Sequence, residues 1–119
     1  MTLVFIYGTL KRGGSNHHLL AAQEFRGAAR TAPGFTLYEL AGYPGMVPEG
    51  GDREGVRGEV WAVSDECLRL LDELEGTAEG LYRREAVPME PPYADLRVEA
   101  YVYLRDLAGR RRAGADWGS

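Results

Sequence analysis

The chain has 119 residues, 45% of them hydrophobic and 27% charged, with a formal net charge of -4. That is enough for a single domain over 1–119 with a core of its own, and it excludes collagen, coiled coil and general disorder. The acidic balance argues against a general nucleic-acid binder, which carries a basic excess, and no apolar run approaches the roughly 20 residues of a membrane span.

Met1 to Val4 enters an apolar run with no basic leader and no small-residue cleavage site, so no secretory signal is expected. Leu3 to Tyr7 is continuously apolar and stops at Gly8, the pattern of a fully buried strand. Gly8 to Ser15 is a glycine-rich loop, and Asn16 to Ala22 suits a short helix capped by Ser15 or Asn16. Phe25 to Thr31 and Phe35 to Leu40 read as strands around a Pro33-Gly34 turn, followed by a turn over Gly42 to Gly45 and a short strand at Met46-Val47. Val56 to Val63 is a strand with Val56, Gly58, Val60 and Ala62 on one face.

Ser64 to Leu74 is the one clear helix. Ser64 is a good N-cap, and Asp65 and Glu66 suit the positive end of the dipole. Cys67, Leu68, Leu71 and Leu74 form its apolar stripe, and Gly76 ends it. Leu81 to Met89 and Leu96 to Leu104 are two further strands joined by a Pro91-Pro92 turn, with Tyr101 and Tyr103 sharing a face of the second. The tail from Arg105, including Arg110-Arg111-Arg112, reads as a solvated segment. Short strands with one good helix predict an α+β domain, a small mixed barrel of about five to six strands with flanking helices.

Chemistry concentrates in two places. Tyr7-Gly8-Thr9-Leu10 lies where a buried strand ends, and consecutive free N–H groups there make an anion site for a carboxylate or phosphate. The other reading is an ordinary strand-end turn. The loop lacks the spacing of a P-loop. Glu75 falls about 20° from Leu68 and about 40° from Leu71 on a helical wheel, so it extends the apolar stripe at the dipole's negative end. Burial and dipole both raise its pKa, which suits general acid–base work; the other reading is a buried acid paired with Arg83 or Arg84. Asp72 and Glu73 point toward the polar face and read as solvated.

Tyr82, Tyr101 and Tyr103 read as pocket-lining or core residues. His17-His18 lacks metal-ligand spacing, so no metal site is expected, and the two read as solvated helix-start residues. Cys67, the single cysteine, cannot form an internal disulfide and reads as an inert core residue, consistent with a reducing cytoplasm.

Leu3 to Gly13, followed by Asn16-His17 and Leu19-Leu20, resembles the opening of the gamma-glutamylcyclotransferase-like superfamily, and especially its gamma-glutamylamine cyclotransferase branch. Leu71-Asp72-Glu73-Leu74-Glu75-Gly76 with Leu81-Tyr82-Arg83-Arg84 is similar to that family's catalytic segment. Gly114-Ala115-Asp116-Trp117 is similar to the Gly-Asp-Trp ending of many bacterial members, with Ala115 inserted. The resemblance implies that Glu75 is the general base. It implies that the loop of Tyr7, Gly8, Thr9 and Leu10 holds a substrate carboxylate, with Tyr82 and Tyr103 as further pocket residues.

The implied reaction is intramolecular. The α-amine of a small γ-glutamyl amine or γ-glutamyl amino acid attacks its own γ-carbonyl, releasing 5-oxoproline and an amine, with no cofactor, no metal and no nucleic-acid or membrane partner. A monomer or homodimer in the cytoplasm is expected. The reading from a different class is a non-catalytic small-molecule binding domain on the same scaffold. The leaving amine is expected to meet the Gly42 to Gly55 region and the tail.

Overall fold

The computed structural model describes residues 1–118. Its first apolar run forms β1 (Thr2–Ile6), and the predicted short helix contracts to a 3₁₀ turn, His17–Leu20. Strands β2 (Glu24–Arg30), β3 (Phe35–Glu39), β4 (Pro44–Pro48) and β5 (Arg57–Val63) follow, then helix α1 (Asp65–Leu74). The chain closes with β6 (Tyr82–Ala86), β7 (Glu99–Tyr103) and β8 (Arg111–Gly114). Among the described residues there are thus eight strands and one α-helix, where five to six strands and flanking helices were expected. No described helix is long and apolar enough to cross a membrane.

The sheet runs β2-β5-β1-β7-β4-β3-β8, with β6 paired to β7. It curls like a barrel but does not close, because its end strands β2 and β8 do not pair. β7 carries β6 antiparallel along one edge. On its other edge it meets β1 at Glu99 and β4 at Val102, both parallel, so the sheet forks there.

Both faces of the central strands are buried, which explains their unbroken apolar sequence. One face packs Val4, Ile6, Trp61, Val63 and Tyr101 against Cys67 and Leu71 of α1. The other gathers Phe5, Leu37, Met46, Val60, Val98 and Val102 inside the curl. β8 corrects the reading of the tail. Arg111 and Arg112 keep their side chains in solvent while their backbone pairs with Glu39 and Tyr38 of β3, which the hydrophobic pattern of side chains cannot register.

Ser64 caps α1 as expected, its Oγ accepting the Cys67 N–H at 3.1 Å. At the other end Glu75 is the C-cap and Gly76 takes a φ of 65°. The Thr77 N–H donates to the Asp72 carbonyl and the Gly76 N–H to the Glu73 carbonyl, the paired bonds of a Schellman motif. The reversal sends the chain back through Leu81 into β6 and leaves Glu75 at the turn.

Candidate active site

The loop after β1 is held from within by its carbonyls. The Lys11 N–H donates to Gly8 O, the Asn16 N–H to Thr9 O, and the Asn16 side-chain amide to Thr9 Oγ1 at 2.9 Å. The Leu10 carbonyl lies 3.1 Å from His17 Nδ1, so His17 anchors the loop and is not a solvated helix-start residue. That bond makes Nδ1 the protonated nitrogen, while the ring stands edge-on to Trp61. The N–H groups of Gly8, Thr9 and Leu10 find no acceptor among the described residues. Three consecutive unpaired donors are the raw material of an anion site.

Tyr7, Gly8, Thr9 and Leu10 all line a cavity of about 410 Å³. Glu75 lines the same cavity from the end of α1, as do Tyr82 of β6 and Tyr101 of β7. Tyr103 is buried against Tyr82, ring centroids 5.2 Å apart, and does not line it. The two regions marked by sequence therefore face one space, although Leu10 and Glu75 lie far apart in the chain.

Glu75 is partly accessible and receives no hydrogen bond or ion pair from any described residue. Burial among apolar and aromatic neighbours pushes its carboxyl from 4.5 up to about 7. Pairing with Arg83 or Arg84 does not occur. Arg83 binds Glu85, and Arg84 binds Asp72 and Glu99. No lysine, arginine or histidine lines the cavity.

Of the four lining tyrosines, Tyr7, Tyr82 and Tyr101 have committed hydroxyls, and Tyr43 is the fourth. Tyr7 donates to the Tyr101 carbonyl at 2.6 Å and accepts the Met46 N–H, spanning the fork between β1 and β4. Tyr82 donates to the Pro44 carbonyl at 2.8 Å. Tyr101 donates to Asp72 Oδ1 at 2.7 Å. Burial first, and also the Glu75 charge, push all three phenols up, so they stay protonated.

Asp72 is the clearest departure from the sequence reading. It is half-buried in the Arg84 fork, not solvated. Burial opposes its ionised form, but the Arg84 and Tyr101 hydrogen bonds win and hold its carboxyl below the ordinary range. Its register on the helix gave no warning, because its partners come from β6 and β7. Gly8 also differs in its role. Its φ is not positive, and a Cβ there would lie 2.8 Å from Pro44 Cγ, so the glycine lets the loop pack directly against Pro44. Of the region expected to meet a leaving amine, Gly42, Tyr43 and Pro44 line the cavity, while the rest of Gly42 to Gly55 and the tail do not.

Among the described residues no group of three or more His, Cys, Asp or Glu could hold a metal ion. Cys67 is buried, its thiol pushed up by burial and placed 3.7 Å from the Leu19 carbonyl.

Comparison with known proteins places this arrangement in context. The family described as gamma-glutamyl cyclotransferase, AIG2-like, matches residues 4–119. A putative gamma-glutamylcyclotransferase of Vibrio cholerae is 38% identical over 116 residues, 98% of this chain and 92% of that protein. The human gamma-glutamylaminecyclotransferase is 36% identical, over 88% of this chain and 79% of its own. The solution structure of Escherichia coli ytfP superposes with a TM-score of 0.71 at 33% identity, covering 98% of this chain and 96% of that one. An AIG2-like protein from Mus musculus gives a TM-score of 0.73 at 30% identity over 86% and 76% of the two chains. With the family matching residues 4–119 and relatives of more than 30% identity aligned over most of both chains, the chain belongs to the AIG2-like gamma-glutamyl cyclotransferase family.

Proposed function

We propose that the protein is a cyclotransferase that releases 5-oxoproline from a small γ-glutamyl amine or γ-glutamyl amino acid. One observation carries the reading. A carboxyl with no donor of its own and three unpaired backbone N–H groups line one cavity.

In this reading Glu75 takes a proton from the substrate's α-ammonium group, whose pKa is about 7.7–8. With Glu75 near 7, that transfer is close to balanced at neutral pH. The freed amine attacks the γ-carbonyl carbon and closes a five-membered ring. The bond from that carbon to the leaving nitrogen breaks as Glu75 returns the proton to it, and the ring nitrogen sheds its second proton, which ends on the released amine as its ammonium form. The nucleophile belongs to the substrate, so the enzyme's work is orientation and charge stabilisation. The Gly8, Thr9 and Leu10 N–H groups hold the substrate carboxylate or the developing oxyanion. Tyr7 and Tyr82 support this end of the cavity through bonds to backbone, and Tyr103 backs Tyr82 from behind. The enzyme works in the cytoplasm as a monomer or homodimer, without cofactor or metal.

The test is release of 5-oxoproline from a panel of γ-glutamyl amines and amino acids, by wild type and by Glu75→Gln. Turnover in the wild type that falls at least about 10²-fold in the variant supports the proposal. Binding of 5-oxoproline with no turnover of any panel member assigns the chain to the binding-domain reading. Full activity in a folded Glu75→Gln protein removes the general-base role.

A further inference from the structure

Four phenols share the cavity with Glu75, and three of them, Tyr7, Tyr82 and Tyr101, give their protons to something else. For Tyr7 and Tyr82 the acceptor is a backbone carbonyl, fixed by the sheet. For Tyr101 it is a side chain, Asp72, three residues before Glu75 on the same helix. Residues three apart are neighbours on a helix surface. The Glu75 carboxylate is therefore the adjacent acceptor on α1.

Asp72 also holds a cation. Arg84 is the direct cross-strand partner of Tyr101. It grips Asp72 with both prongs, Nε to Oδ1 at 2.9 Å and Nη2 to Oδ2 at 3.1 Å. Its remaining nitrogen, Nη1, bonds Glu99, whose second oxygen takes Arg97 at 3.0 Å. The network closes on itself without Glu75.

We propose that Asp72 is a positioning residue for Glu75: by taking the Tyr101 hydroxyl it keeps that donor off the Glu75 carboxylate, while Arg84 is held independently by Glu99. The inference rests on the reading of Glu75 as the proton carrier. A hydrogen bond or cation given to a carboxylate stabilises its charged form and makes it a weaker base. The groups around Glu75 that bear on its titration are few. They are Tyr7 from β1, Tyr82 from β6, Tyr101 from β7 and Tyr43 from the turn before β4, with Asp72, Glu73 and Glu79 on α1 and the turn after it. None of the lining groups is a cation. Of the three committed phenols, Tyr101 is the one whose release needs only a side-chain change.

The test is a ¹³C NMR titration of the Glu75 carboxyl in the intact protein, which needs no substrate. In Asp72→Ala the midpoint should fall by about one pH unit or more, as Tyr101 turns to Glu75. In Asp72→Ala with Tyr101→Phe it should return most of the way, because the donor is gone. A merely structural role for Asp72, or an effect of charge alone, leaves the double variant as low as the single one, and that overturns the inference. So does an unmoved midpoint in Asp72→Ala. Tyr101→Phe alone should leave the midpoint unchanged; a rise would mean that Tyr101 already donates to Glu75, which also overturns it. Should Asp72→Ala not fold, Asp72→Asn with and without Tyr101→Phe reads the same difference at smaller size. The outcome is separable from the catalytic reading. An unmoved titration beside an inactive Glu75→Gln rejects only this inference, and the expected shifts beside a fully active Glu75→Gln reject only the proposed function.

Discussion

Replacing Glu75 by glutamine should make the protein more stable, and the gain should depend on pH. In the folded chain this carboxyl titrates at about 7 against an ordinary 4.5. Between those values the folded state binds a proton that the unfolded chain has released, so stability falls as pH rises. Below about pH 4.5 both states are protonated and the effect vanishes; above about pH 7 it is complete. At 1.36 kcal/mol per pH unit, the full cost is at most about 3–4 kcal/mol. Glutamine keeps the volume and one carbonyl oxygen but carries no charge to desolvate. For a domain of this size, 1 kcal/mol corresponds to roughly 3–6 °C in Tm. Melts of both proteins from pH 4 to pH 9 should therefore nearly coincide at the acid end and separate by several degrees above neutrality, with the variant higher. Taking the difference cancels Asp72 and Glu59, whose stabilising pairs weaken in acid in both proteins. A variant that melts lower at pH 8, or an offset that ignores pH, would refute the claim that Glu75 sits in its cavity without a partner.

Other substitutions probe the surrounding frame. Gly14→Ala places a Cβ 2.2 Å from the Thr9 carbonyl, so the loop must rearrange; 5-oxoproline affinity measured by calorimetry should fall at least about tenfold while the core melts within about 1 kcal/mol of wild type. Tyr82→Phe strips the Pro44 carbonyl of its buried donor and should cost about 1–3 kcal/mol in urea denaturation. Glu59→Gln weakens a carboxylate that takes the Arg12 N–H, the Arg12 guanidinium and the Trp61 indole N–H; burial opposes its charge, but those bonds hold its carboxyl below the ordinary range. Its cost should be about 1–3 kcal/mol at neutral pH and should shrink as acid protonates the wild-type group. Glu79→Gln, exposed beyond the helix, should leave both the melt and turnover within error.

What could be read from sequence followed local physics. The run Leu3 to Tyr7, the Ser64 cap and the Gly76 stop all act within one element, and each lies where its residues indicate. The position of Glu75 beside the apolar stripe was legible for the same reason. Leu74 was not: it is counted in the stripe yet is 42% exposed at the cavity mouth, because the helix ends and the sheet no longer covers it. Asp72 looks like an ordinary solvent-facing acid, since the arginine that holds it comes from residue 84; Glu59, held by Arg12, has no reading from sequence at all. β8 was invisible because an edge strand held by main-chain bonds needs no apolar alternation. The Lys11 Nζ bond to the Trp117 carbonyl, which ties the tail to the opening loop, spans 106 residues and leaves no mark in either segment.

The Tyr7 phenol acts as a wedge of fixed length. β1 and β4 would otherwise compete for the same edge of β7, and the ring holds them apart while its oxygen serves the main-chain groups that the split leaves behind, Tyr101 O and Met46 N. The wall beside Gly8 is thereby set by the dimensions of an aromatic ring in the core. Substitutions at the surface do not reset it. Across the cavity, Gly42 and Tyr43 belong to no strand, and Tyr43 is 36% exposed. The Tyr43 side chain takes part in no ladder, so replacing it leaves the bond from the Leu40 N–H to the Tyr43 carbonyl in place. One side of this molecule is therefore a gauge and the other is adjustable, so selection on the outer part of a ligand can proceed without recalibrating the part held against β1.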